Sequence, residues 1–163
     1  MSKPKIEVRI ESPQWARIPS VSRSVRRAAE AIGDDPEIGP TIRTADIICI
    51  ALIDAEAIAV LNEKWRARKA PTNVLSFPAA PGPLLHSPRF LGDLALAFET
   101  IEREARSEGK PLRDHLAHLV VHGILHLLGY DHADEAEAER MEEIETRILA
   151  SAGIADPHAI EVA

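Results

Sequence analysis

The chain has 163 residues, 45% of them hydrophobic and 28% charged, with a formal net charge of −7. That length suits one domain with a substantial core, and twelve prolines and eight glycines are too few for a low-complexity or collagen-like chain. The longest strictly apolar run, Ile47–Ile53, is far short of the ~20 residues of a membrane helix, and the single cysteine, Cys49, excludes an intrachain disulfide and any multi-cysteine metal site.

Met1 to Glu7 carries basic residues without an apolar core, so no secretory signal, no membrane partner and a cytoplasmic location are expected. Lys5 to Ile10 alternates Ile6, Val8 and Ile10 with charged residues, the pattern of a half-buried strand. Ser20 or Ser22 opens a helix through Val25, Ala28, Ala29 and Ile32, stopped by Gly33. Ala45 to Ile53 is β-branched and almost wholly apolar, as in a strand covered on both faces. Asp54 caps a helix whose apolar positions Ile58, Val60, Leu61 and Trp65 recur at helical spacing.

Thr72 to Phe77 is a short strand between Pro71 and Pro78. These prolines favour an edge position, because proline donates nothing to a ladder. Ala79 to Arg89 reads as a proline-rich loop, with His86 facing solvent. Leu91 to Ala97 is a further strand, followed by a helix to about Ser107 that ends at Gly109. Pro111 suits the first turn of a long apolar helix reaching Leu128 and stopped by Gly129. A last helix from about Asp134 buries Met141, Ile144, Ile148 and Leu149. The order predicts a single α+β domain over residues 1–163, with a small mixed four-stranded sheet and about five helices.

The charge is uneven. Residues 1–81 hold 12 Lys/Arg against 10 Asp/Glu, and residues 82–163 hold 7 against 16. Seven acids fall between Asp134 and Glu145, and they read as a solvated helix face. The first half is thus free to present a basic surface, on which Arg23, Arg26 and Arg27 share one helix.

Four of the seven histidines fall in the long helix: His115, His118, His122 and His126. His118, His122 and His126, four apart, stack on one face. Gly129 can take the left-handed conformation that reverses the chain, which swings His132 back toward His122 and His126. Three imidazoles with an open fourth position describe a catalytic, zincin-like zinc site rather than a closed structural one. The H-x3-H-x5-H spacing also occurs in metalloproteases that carry a glutamate base directly after the first histidine. Here that position is Gly123, which argues against a peptidase. A site of three neutral imidazoles keeps the full charge of the ion, which suits an anionic phosphodiester better than an amide. Asp131 has two readings, a carboxylate bonded to a ligand imidazole or a turn-stabilising aspartate. His118, one turn before His122, either contacts substrate or sits in the core.

At two separated motifs the chain resembles the YbeY endoribonucleases, bacterial rRNA maturation factors. One is H-G-I-L-H-L-L-G-Y-D-H, residues 122–132. The other is L-N-E-K-W-R-A-R-K-A-P-T-N-V-L-S-F-P, residues 61–78. Gly92-Asp93 and the acidic helix after His132 also fit, so the resemblance spans about residues 5–154. It implies a single-strand-specific, metal-dependent endoribonuclease acting in 3′-end maturation of small-subunit (16S) rRNA and in ribosome quality control. It also implies one Zn²⁺ per chain on His122, His126 and His132, and a catalytic arginine at Arg66. The implied partners are single-stranded RNA and the small ribosomal subunit with its proteins. An arginine there fits physically, because guanidinium grips phosphate oxygens in pairs. Asn73 stands where the family often has aspartate, and Ala70 where a polar residue is common, which bears on substrate preference. The residues leave the nucleophile open between water and the 2′-hydroxyl. Two other readings stand beside this one: an assembly factor whose zinc is mainly structural, and a metallohydrolase with another substrate such as a peptide.

Overall fold

Ile48, Ile50 and Leu52 are almost wholly inaccessible, while Cys49 and Ala51 between them are half-buried. These residues belong to β2 (Ile47–Ile53), whose alternating side chains face opposite sides of the sheet. In the computed structural model, which describes residues 3–42, 44–79 and 89–158, β2 pairs in parallel with β1 (Lys5–Ile10) and with β4 (Phe90–Ala97). β3 (Val74–Pro78) runs antiparallel to β4 and completes the order β1-β2-β4-β3, so the proline-bracketed strand does lie at an edge.

Among the described residues there are five α-helices: α1 (Val21–Ala31), α2 (Ala55–Arg66), α3 (Phe98–Glu108), α4 (Leu112–Leu127) and α5 (Glu135–Ser151). On one face of the sheet, Ile48, Ile50, Leu94 and Leu96 pack with α1, α4 and α5 in the main core. Among the described residues the other face is covered only toward its α2 end, where Ile53, Leu75, Ala95 and Ala97 meet Ile58 and Leu61. β2 is therefore covered on both faces over part of its length only, and its Cys49 Sγ lies 3.4 Å from the Glu7 carboxylate on the open part.

Asp54 and Asp134 cap α2 and α5, each accepting a backbone N–H three residues on, at 2.8 Å. Ser20 stands at the N-cap of α1 with φ 55° and no side-chain cap bond. Trp15, in a 3-10 turn over Pro13–Arg17, is fully buried; its indole donates to the Ile53 carbonyl at 2.9 Å and meets the Phe98 ring edge-on. Among the described residues no helix is long and apolar enough to cross a membrane. Most of the proline-rich loop, His86 included, lies outside the described residues.

Candidate metal centre and cleft

α4 is built to carry a polar stripe on an apolar helix. Leu116, Leu119, Val120, Val121, Ile124 and Leu125 are buried in the core, while His118, His122 and His126 share the remaining face at four-residue spacing. His115 departs from them: its Nε2 lies 2.9 Å from the Glu104 carboxylate of α3. At the end of α4 the Gly129 N–H donates to the His126 carbonyl and the Tyr130 N–H to the Leu125 carbonyl, with Gly129 at φ 98°. The chain turns back there. The His132 ring comes to rest 5.1 Å from the His126 ring and 5.8 Å from that of His122, centre to centre.

One nitrogen from each of His122, His126 and His132 falls within 4.8 Å of the other two. The Nε2 atoms of His122 and His126 are 3.1 Å apart. Two atoms held about 2.0–2.1 Å from one tetrahedral zinc ion stand ~3.3 Å apart, so the pair is close to that geometry. Burial, together with the neighbouring His122 and His132, pushes His126 below the usual imidazole range. That keeps the ring neutral and its lone pair available. The donor set therefore fits a divalent, imidazole-preferring ion.

Behind this face stands a residue the sequence reading placed on the solvated side of α5. Six of the seven acids from Asp134 to Glu145 are exposed, but Glu145 is 1% exposed. Its Oε2 lies 2.5 Å from His122 Nδ1, and its Oε1 lies 3.0 Å from His118 Nε2 and 2.9 Å from His158 Nε2. A carboxylate only accepts, so each facing nitrogen carries the proton, and His122 is left with its Nε2 lone pair toward the cluster. Burial pushes the Glu145 carboxyl up, but the bonds from His118 and His122 outweigh it and hold the group below the usual carboxylate range. Burial also pushes His118 down despite Glu145 beside it. The signal for Glu145 was its spacing, since positions 141, 144, 145, 148 and 149 form one inward stripe. Asp131, by contrast, is exposed and its Oδ1 accepts the His132 N–H at 2.8 Å.

The cluster opens into a cleft of about 510 Å³, lined also by Arg66, Asn73, Ser76 and Tyr130. Arg66 reaches it as the last residue of α2, with Ala67 after it in the left-handed region at φ 56°. Asn62, one turn earlier and 4% exposed, donates to the Ala70 carbonyl at 2.8 Å and ties the α2–β3 connection to the helix. Asn73 donates to the Glu104 carboxylate at 3.1 Å and accepts the Val74 N–H, so an amide suits this position better than a second carboxylate facing Glu104. Gly123 faces the sheet. A Cβ there would stand 2.8 Å from the Leu94 side chain and 3.3 Å from Ser76 Oγ, and Ser76 donates to the Gly123 carbonyl at 3.0 Å. The position that holds a base in the similarly spaced peptidases is here the contact between α4 and the sheet.

Comparison with known proteins agrees in extent with this architecture. The sequence model of a family described as Endoribonuclease YbeY matches residues 9–153. A Bradyrhizobium protein named Endoribonuclease YbeY is 46% identical over 162 residues, covering 96% of this chain and 93% of its own length. One from Ruegeria pomeroyi with the same name is 42% identical, covering 96% and 99%. The solution structure of a Thermotoga maritima protein shares the fold with a TM-score of 0.55 at 19% identity, covering 95% of this chain and 99% of that one.

Proposed function

The chain belongs to the YbeY endoribonuclease family, and on that premise we propose that it is a zinc-dependent endoribonuclease for single-stranded RNA. Its place of action is the cytoplasm, its substrate the 3′ region of small-subunit rRNA, and its partners the small ribosomal subunit and its proteins. The observation that carries the reading is the convergence of three imidazole nitrogens on a cleft that Arg66 also lines.

In this reading His122, His126 and His132 hold one ion per chain. The ion supplies positive charge and Lewis acidity to a phosphate group. Arg66 is the catalytic residue on the protein side: its guanidinium takes phosphate oxygens in pairs and offsets the charge that gathers on them as the ester is cleaved. Glu145 fixes the tautomer and rotation of His122. Lys64, Arg68 and Lys69 surround Arg66 in sequence and are exposed, so the segment that carries Arg66 is basic although the chain is acidic. Trp65 is 61% exposed beside Arg66 and offers a face on which an unpaired base stacks, which favours single strands over duplexes. With Gly123 against the sheet, the peptidase alternative lacks room for its base. The assembly-factor alternative draws on Arg23, Arg26 and Arg27, exposed on α1, and these suit ribosome docking alongside catalysis.

The test is cleavage of labelled single-stranded and duplex RNA by the full chain, before and after metal removal and with zinc returned. Single strands are cut, chelation abolishes cutting, and zinc restores it. A zinc-loaded chain that leaves single-stranded RNA intact, or a His126→Ala variant as active as the parent, overturns the reading.

A further inference from the structure

Glu145 serves two different neighbours with its two oxygens. Among the described residues Oε2 meets only His122, while Oε1 is shared by His118 and His158. His158 lies beyond residue 153, where the match to the family ends. It is nonetheless delivered by a tied segment. The Ile154 N–H donates to the Leu149 carbonyl at 2.9 Å, and the Lys110 ammonium to the Pro157 carbonyl at 2.6 Å. Asp156 Oδ1 accepts from both Thr146 Oγ1 and the His158 N–H. The His158 ring then sits edge-on against that of His118, centres 5.1 Å apart.

We propose that His158 is a positioning residue of the metal centre: it holds Oε1 of Glu145 and, through Oε2, sets the rotation of the His122 ring. The inference rests on the reading of His122, His126 and His132 as metal ligands. Its logic is geometric. With His118 alone on Oε1, a single bond resists rotation of the carboxylate on the side away from His122, and any such rotation shifts the partner of His122 Nδ1. A second donor on Oε1, approaching from a different element, restrains that rotation further. Groups that orient a ligand from outside the coordination sphere typically contribute 10–100-fold to metal affinity, and a group one bond further away falls at the lower end.

The experiment measures zinc affinity by competition with a chromophoric chelator, and stoichiometry by elemental analysis, on the full chain. The variants are His158→Ala, His158→Gln and Glu145→Gln. His158→Ala is expected to weaken zinc about tenfold, with the metal-free chain still folded and its thermal midpoint only slightly lowered, since His118 keeps Oε1 bonded. His158→Gln, whose amide N–H approximates the imidazole Nε2, is expected to restore most of the affinity. Glu145→Gln is expected to weaken zinc more than His158→Ala does. If His158→Ala binds zinc within twofold of the parent while Glu145→Gln does not, the tail is a bystander and the inference falls. If the parent takes up two ions and His158→Ala one, His158 is a ligand and not a positioning group. A parent that takes up no zinc overturns the metal reading first and this inference with it.

Discussion

The side-chain amide of Asn62 donates to the Ala70 carbonyl at 2.8 Å and so closes a loop of the chain that begins one turn before Arg66 and ends at the approach to β3. The same Asn62 carbonyl accepts the Arg68 N–H. Both bonds restrain the segment that presents Arg66 to the cleft. Asn62→Ala removes a buried donor whose bond goes to the carbonyl of exposed Ala70, which costs about 0.5–1.5 kcal/mol. Urea denaturation measures that loss, and RNA cleavage is expected to fall as well, because the backbone segment that presents Arg66 is less restrained. Wild-type stability in the variant would remove this account of how Arg66 is positioned.

Arg66 itself is exposed, so its replacement is expected to leave stability within about 0.5 kcal/mol of the parent. Cleavage is where the effect lies. Loss of one charge-stabilising donor at a reacting centre typically lowers turnover by about 10²–10³. Arg66→Ala is expected in that range. Arg66→Lys is expected to recover only part, since an ammonium keeps the charge and loses the paired geometry. Steady-state kinetics on a defined single-stranded RNA decide it: undiminished turnover in Arg66→Ala removes Arg66 from the chemistry.

Trp15 is fully buried and Trp65 is 61% exposed, so only Trp65 can meet a ligand directly. Its ring stands edge-on to Phe77, 6.4 Å between centres, with the Lys64 ammonium 5.2 Å from its own centre. A stacked base contributes about 1–3 kcal/mol. Titration with single-stranded RNA under metal-free conditions is expected to quench intrinsic fluorescence through Trp65. Trp65→Phe is expected to abolish the quench, and Trp65→Ala to weaken binding by that amount. An unquenched signal at saturating RNA places the strand elsewhere.

Much of the candidate site's geometry was legible because its signals are local. A four-residue histidine repeat, a glycine that reverses the chain and a third histidine just beyond it define one end of one helix. The edge position of β3 followed from Pro71 and Pro78 for an equally local reason. Glu145 was not legible in the same way: it closes an acidic run, and only the inward stripe of α5 distinguishes it from its solvated neighbours. Trp15 was missed because a 3-10 turn has no long period to reveal which residue it buries. The uneven cover of β2 depends on where α2 lies, and an apolar run carries no record of that. Asn73 looked like a departure bearing on substrate, while its partner Glu104 is 31 residues away in sequence and visible only in the fold.

Two glycines separate backbone strain from side-chain crowding. At Gly92, φ is +144°, and a Cβ would stand 2.5 Å from the Phe77 carbonyl oxygen and 3.1 Å from Pro78 Cα, both backbone atoms. The Leu127 side chain, 2.8 Å away, can move aside, but these backbone atoms cannot. Gly92→Ala is expected to cost at least about 2–3 kcal/mol and to disturb the β3–β4 pairing that borders the cleft. At Gly123 the nearest atoms are the flexible ends of Leu94, and φ is helical. Overpacking of about 1–3 kcal/mol is there offset by roughly 1 kcal/mol of helix propensity. Chemical denaturation of the two variants is expected to show Gly92→Ala as the more damaging by a clear margin. The reverse order contradicts the backbone account.

Asp35 and Arg147 form a two-pronged ion pair away from the cleft, and they give stability a pH dependence of known sign. Arg147 donates from Nε to Oδ1 at 2.6 Å and from Nη2 to Oδ2 at 2.9 Å, while Oδ2 also accepts the Glu37 and Ile38 N–H groups. The bonds from Arg147, against an opposing effect of burial, hold the Asp35 carboxyl below its usual value of 3.8. A carboxyl depressed in the folded state binds protons more readily when unfolded. Its contribution is therefore complete above the unfolded value, and it is lost as pH falls through the folded one. The parent is expected to lose stability as pH drops below about 4. Asp35→Asn has no charge to titrate there. It is expected to be less stable than the parent near neutral pH by about 1–3 kcal/mol and to show a shallower acid limb. Urea midpoints from pH 7 to pH 3 test both at once, and parallel profiles for the two proteins rule out Asp35 as a source of the acid sensitivity.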